Sequence, residues 1–386
     1  MFGRGRFVII AIMRWLILTT ISFFYRNFLK RILFLQDPEK IHHRAVRAGE
    51  WLGESKTAKT FFSFFFRERD TIISQRLFNI QFDSPIGLSA GFDYEARLTQ
   101  ILPCLGFGFG SVGTLTYLKY EGNPRPMLGR LPKSRSLMVN KGFKNLGVAA
   151  TLERLNGKTF TCPVGISIGK TNTEKIATQR DGIEDVVNAF RAAEQANVSF
   201  SYYELNISCP NLKGTVEFYD PIHLKELLSA IGGIGISRPV WIKIPISKTD
   251  SEIMAMMDII VAFPFIEAVI FGNLQQDRNH PALNQDEVKK FPHGNFSGLP
   301  CRDKSDELIC LAFKNYGSRI KIVGCGGVFS ATDAYRKIKL GASLVELITG
   351  LIFEGPQLVS QINYELAYFL RRDGYRSITE AIGRDA

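Results

Sequence analysis

Asn206-Ile207-Ser208-Cys209-Pro210-Asn211 places two amide side chains and an ionisable thiol directly after the strand-like run Tyr202 to Leu205. Amides can hold a planar ring through paired donors and acceptors, and a thiol among them can take up a proton if its pKa is drawn toward ambient pH. The grouping points to proton abstraction from a bound heterocycle, although Asn-Pro-Asn clusters also form plain turns. Lys243 is the second residue with chemistry to explain, because Val240-Trp241-Ile242-Lys243-Ile244-Pro245 is too apolar for a solvated charge. Its ammonium needs either an anionic or electron-rich cofactor or a neighbouring carboxylate. Gly326-Gly327 and Thr349-Gly350 offer backbone N–H groups for a phosphate, or else are simple turns.

Short apolar runs that could position these residues alternate with helical patterns from Pro85 onward. The runs are Ile86 to Ala90, Phe109 to Thr114, Val164 to Ile168, Tyr202 to Ile207, Val240 to Ile244, Ala268 to Phe271, Ile320 to Gly324 and Leu344 to Ile348. Eight parallel strands close a (β/α)8 TIM barrel, whose chemistry sits at the C-terminal ends of its strands. Polar residues or glycine end nearly every run: Ser89-Ala90-Gly91, Gly113-Thr114, Asn206, Lys243 and Gly272-Asn273. Amphipathic helices are predicted over Ile183 to Ala196, Leu224 to Ile231 and Glu252 to Ala262, the last opened by a Thr249/Glu252 capping box.

The 386 residues suit one barrel plus an extra segment. The net charge of +11 is concentrated at the start, where no acidic residue precedes Asp37. That favours an anionic membrane surface over a spread nucleic-acid footprint. Phe7 to Phe24 is almost wholly apolar apart from Arg14, and reads as either a single span or a helix lying in the membrane plane. Asp37-Pro38-Glu39 reads as a helix start, and Phe61 to Phe66 as either core packing or an apolar mouth dipping into lipid. The six cysteines show no C-x-x-C pair and the five histidines no H-E-x-x-H motif, so reduced thiols and no catalytic metal are expected.

Several longer motifs occur in order: Ser89-Ala90-Gly91-Phe92-Asp93, Gly122 to Pro126 with Gly129 to Pro132, Asn206 to Asn211, and Thr349 to Pro356. Together they resemble the dihydroorotate dehydrogenases, FMN-containing (β/α)8 barrels that oxidise dihydroorotate to orotate in de novo pyrimidine (UMP) synthesis. The similarity runs from about Asp37 to the C-terminus. The leader and the Asp37-Pro38-Glu39 helix with His42 are similar to the membrane-associated, quinone-using class 2 enzymes, whose extra helices form an apolar tunnel to the flavin. The implied architecture is a membrane leader at 1–36, a helical membrane-associating extension at 37–70 and an FMN-binding barrel at 71–386.

Carried over by position, the resemblance implies that Ala90, Gly91, Thr114, Asn206, Lys243, Gly298, Gly327 and Thr349 contact FMN. It implies that Asn206, Asn211 and Asn273 hold the dihydropyrimidine ring while Asn140 and Phe143 close over it. Cys209 would be the base that removes the C5 proton as a hydride leaves C6 for the flavin, Lys243 would stabilise the reduced ring, and His42 and Arg130 would line the quinone tunnel. The implied partners are dihydroorotate and orotate, a quinone and membrane lipid, with no nucleic acid. The implied setting is a monomer on the cytoplasmic face of the inner membrane, or on the mitochondrial inner membrane in a eukaryote.

The chain also departs from the family pattern. Quinone-using members place serine at the base position and the soluble class cysteine, yet Cys209 here follows a membrane-type leader. Tyr94 stands where the family has a lysine for the substrate carboxylate, leaving Lys141 or Lys144 as candidates to replace it. The loop holding Asn140 is one residue shorter than usual, and Ser167, Leu274, Ile348 and Gly272 replace polar or aromatic residues around the ligands. The competing readings are an FMN oxidoreductase acting on a different small ring or carbonyl compound, and a degenerate, non-catalytic barrel.

Overall fold

The computed structural model of the chain describes residues 2–386, with side-chain surroundings from Met13 onward. Three longer helices come first: α1 (Phe2–Phe24), α2 (Pro38–Glu54) and α3 (Lys56–Phe66). Asp37 caps α2 by accepting from the Lys40 N–H at 2.8 Å, with Pro38 in the first turn, and Ser55 caps α3 through the Ala58 N–H at 3.2 Å. Each cap satisfies an N–H that the helix itself leaves unpaired.

All eight expected runs are strands: β1 (Ile86–Leu88), β2 (Phe109–Leu115), β3 (Val164–Ile168), β4 (Tyr202–Asn206), β5 (Val240–Ile244), β6 (Ile266–Phe271), β7 (Lys321–Cys325) and β8 (Leu344–Leu347). They close in sequential order into a barrel whose β8 pairs with β1, every pairing parallel. The expected helices are present at Gln179–Gln195, Pro221–Gly232 and Asp250–Ile260, the last with both halves of its Thr249/Glu252 capping box formed. The first crossover is an exception, carrying only the single 3-10 turn Leu102–Leu105.

Alternation along the strands sorts side chains between two cores. Val240, Ile242 and Ile244 face the surrounding helices, while Trp241 joins Phe82, Phe109, Tyr202, Val323 and Leu344 inside the barrel. Trp241 stacks on Tyr202 with ring centroids 3.7 Å apart. The hairpin Gln75–Leu77 with Ile80–Phe82 closes this end, tied by Gln75 Nε2 to the Ser343 carbonyl at 2.5 Å. Its strands, and those of a three-stranded sheet (Leu128–Leu131, Ser136–Val139, Asn295–Phe296), are only two to four residues long, too short for alternation to announce them.

The leader docks on the barrel rather than standing apart from it. The Arg14 guanidinium donates to the carbonyls of Phe65 and Arg67 at the end of α3, so its charge is answered by backbone oxygens. Tyr25 Oη donates to the Ile352 carbonyl at 2.7 Å. The run from Phe61 to Phe66 packs Phe66 into the core and leaves Phe61 and Phe64 exposed. Among the described residues no helix is long and apolar enough to cross a membrane, and side chains 7–12 of the foreseen segment lie outside those described.

Candidate active site

Two residues beyond Trp241 the same inward alternation brings Lys243 to the upper layer of the barrel, beside Glu204 of β4 and Glu346 of β8. Lys243 Nζ donates to Ser89 Oγ at 2.6 Å and to Glu346 Oε2 at 3.3 Å, with Glu204 Oε1 at 3.8 Å. The lysine therefore has carboxylate partners of its own and needs no cofactor to answer its charge. Burial alone lowers its pKa, but the two carboxylates outweigh that and hold it above the ordinary lysine range. Burial pushes the Glu346 carboxyl up against the pull of Lys243.

A line of hydrogen bonds continues from this cluster to the loop after β4. Ser167 Oγ donates to Glu204 Oε1 at 2.9 Å and lies 2.9 Å from Thr114 Oγ1, which accepts from Asn206 Nδ2 at 2.8 Å. Ser208 Oγ donates to Asn206 Oδ1 at 2.8 Å and accepts from Asn273 Nδ2 at 2.6 Å. Both amides are thereby oriented at the strand ends. Asn211 is held separately, donating to the Val139 carbonyl at 3.0 Å and accepting from Asn295 Nδ2 at 2.7 Å.

Of this network, Ser89, Thr114, Asn206, Asn211, Lys243 and Asn273 line one cavity of about 1200 Å³, its open mouth included. Ala90, Gly91, Thr114, Phe143, Asn206, Cys209, Asn211, Lys243, Asn273, Gly298, Gly327 and Thr349 all face it. Cys209 and Lys243 thus share a single chamber. Asn140 does not line it; its Oδ1 accepts from Asn123 Nδ2, which also donates to the Asn211 carbonyl. Burial pushes the Cys209 thiol up to about 12, opposed only by the Asn211 N–H, so the thiol keeps its proton at neutral pH. This corrects the expectation of a pKa drawn toward ambient pH.

Gly327 has φ +69° and follows β7, and the helix Thr349–Glu354 follows β8, the two places where such barrels seat a phosphate. Gly91 has φ +108°, with only Ile348 near the position of an added Cβ. Gly91→Ala is therefore expected to cost about 1–3 kcal/mol through the backbone alone. The check is a lower urea midpoint at an unchanged slope.

A second cavity of about 1180 Å³ lies against the first and is walled by Ile41, Ala45 and Gly49 of α2, by Leu98, Leu102 and Phe107, and by Arg130. His42, Phe92, Leu128, Leu137 and Ile352 line both cavities. Burial pushes the His42 imidazole down to about 2, so it is neutral between them. Arg130 faces only the second cavity, donating to the Gln36 carbonyl at 2.6 Å and lying over the Phe34 ring.

A profile of the family described as dihydroorotate dehydrogenase matches residues 72–370. The chain belongs to the dihydroorotate dehydrogenase family. Relatives named dihydroorotate dehydrogenase (quinone) include one from Nostoc punctiforme, 34% identical over 360 residues that cover 90% of this chain and 93% of the relative. Another, from Nocardia farcinica, is 32% identical over 362 residues, covering 92% and 96%. Among solved structures, the Eimeria tenella DHODH crystallised with ferulenol superposes with a TM-score of 0.77 at 26% identity, covering 90% of this chain and 96% of that one.

Several residues that support the chamber of this dihydroorotate dehydrogenase family member escaped sequence reasoning. Glu204 and Glu346 carried the same signal as Lys243, a charge in an apolar strand, in Tyr202-x-Glu204-x-Asn206 and Leu344-x-Glu346. Asn123 lay inside the Gly122 to Pro126 motif without a role of its own, and Asn295 carried no signal, because both reach the site only in space.

Proposed function

We propose that the protein oxidises dihydroorotate to orotate with FMN as resident cofactor and passes the electrons to a quinone. The reading is carried by one juxtaposition: a chamber into which Cys209, three oriented asparagines and Lys243 converge abuts a second, apolar chamber across His42. Asn206, Asn211 and Asn273 hold the flat ring of the substrate, and Cys209 receives its proton. Gly327 and the backbone ahead of Thr349 cradle the phosphate, and Ala90, Gly91, Thr114 and Gly298 border the ring system. FMN, when bound, supplies the acceptor for the hydride. Lys243 stands where negative charge would gather on the reduced cofactor, and its paired carboxylates keep it cationic.

The apolar chamber suits a quinone head, with Arg130 and neutral His42 as its polar contacts. Residues 1–36 and 37–70 form the leader and the tunnel-building extension of this reading, and 71–386 the catalytic barrel. Exposed Phe23, Phe24, Phe28, Leu35, Trp51 and Phe61 make the helical end a membrane-docking surface.

Anaerobic titration of the detergent-purified protein with dihydroorotate, followed by addition of a quinone, tests both halves. Flavin absorbance is expected to bleach and then to return. A yellow protein that dihydroorotate leaves unbleached belongs to another substrate, and a colourless one has no such cofactor.

A further inference from the structure

Of the charged groups lining the substrate chamber, Lys243 is engaged at its floor and His42 is neutral, which leaves the ammonium groups of Lys141 and Lys144. Of these two, Lys141 is the one that stands over an aromatic ring. Its Nζ lies 4.4 Å from the centre of the Tyr94 ring, which is itself buried and stacked on His42 at 5.4 Å and 17°. The two nearest carboxylates are occupied elsewhere. Glu39 pairs with Arg125 at 3.4 Å and accepts from the Met127 N–H at 3.2 Å, and Glu95 pairs with Arg97 at 2.8 Å. Among the described residues, no carboxylate lies within ion-pair distance of Lys141, so a ring face is its only recorded partner for the charge.

We propose that Lys141 is the cation that receives the carboxylate of the acidic ring substrate, standing over Tyr94 on the wall of the same chamber as Cys209 and Asn211. The assignment rests on the substrate reading given above and adds the residue that makes it selective for an acid. An aromatic face attracts an ammonium less strongly than a carboxylate does, so the bound acid supplies what the empty chamber lacks. The lysine is also well placed to be rigid. Its carbonyl accepts from the Asn123 N–H at 3.4 Å, and the next carbonyl, Gly142, accepts from Asn172 Nδ2 at 3.1 Å. The asparagines recognise an amide edge that orotate and uracil share, and Lys141 supplies the contact that distinguishes them.

The charge on Lys141 also responds to pH. Burial pushes its amine down to about 7, Glu39 and Glu95 pull it up, and Lys144 opposes them. Tyr94 beneath it, whose phenol burial pushes up, and His42 and His43 on α2 are further titratable neighbours, and Lys141 helps to lower both histidines. A bound carboxylate favours the ammonium, so orotate binding takes up protons above neutrality and weakens as pH rises. Uracil, which has no carboxylate, lacks this dependence below its own titration.

The test is calorimetric titration of the FMN-loaded wild type, Lys141→Met and Lys141→Arg with orotate and with uracil, at pH 6 and pH 8. Lys141→Met is expected to weaken orotate roughly ten- to hundredfold at the lower pH and to leave uracil within about twofold. Lys141→Arg is expected to keep most of the orotate affinity and to lose the pH dependence. Equal losses for orotate and uracil, or an orotate affinity that Lys141→Met leaves unchanged, overturn the assignment alone. A wild type whose flavin dihydroorotate fails to bleach overturns the substrate reading and this assignment with it.

Discussion

Cys209→Ala is expected to slow anaerobic reduction of the flavin by dihydroorotate by about 10²–10⁴-fold, the range over which a positioned base contributes. The size of the effect depends on pH in a direction that burial sets. With its thiol pushed up to about 12, Cys209 is overwhelmingly protonated through the physiological range. The base-competent thiolate then grows about tenfold per pH unit, so the gap between wild type and Cys209→Ala widens from pH 6 to pH 9. Cys209→Ser keeps the size of the side chain but replaces the thiol with a weaker acid, and is also expected to be slow at neutral pH. Stopped-flow reduction across this range is the measurement. A gap that stays constant with pH removes Cys209 from proton transfer.

Lys243→Met is expected to give the largest loss of stability, because it strands two carboxylates inside the barrel. Glu204 and Glu346 are both fully buried, and each would lose the only cation paired with it among the described residues. Breaking such a pair from one side typically costs about 3–5 kcal/mol. The stranded groups would respond by holding protons, with folded-state pKa values raised above the unfolded ones. Raised carboxyl pKa values mean that the folded protein binds more protons, so the penalty is smallest below the unfolded carboxyl range and grows as pH rises through the folded values. Urea midpoints at pH 5 and pH 8 should show the variant closer to wild type at pH 5. Adding Glu346→Gln to Lys243→Met should recover part of the loss, a coupling that a double-mutant cycle measures directly. Full additivity of the two substitutions would mean that the ion pair contributes nothing.

The two predictions draw on different kinds of information. Cys209 was legible from its place in Asn206 to Asn211, after a run that reads as a strand and in a barrel whose chemistry gathers at strand ends. Its protonation was not, because a pKa depends on how the folded chain buries the sulfur. Lys243 was legible as an anomaly in an apolar strand, but its explanation was left open between a cofactor and a carboxylate. The carboxylates turned out to be Glu204 and Glu346, on a neighbouring strand and on one across the barrel.

Local pattern was enough for the eight strands, their order and the main crossover helices, since period-two and period-3.6 alternation and helix caps are properties of adjacent residues. Ordered motifs were likewise enough for the family. Folding had to supply the contacts between elements: Arg14 against the carbonyls ending α3, Asn123 as hub of the loops, His42 between two chambers, and Lys141 over Tyr94. Such pairings arise when a closed barrel brings separate strand ends together, and the charge and proton affinity of each group follow from neighbours that chain order does not name.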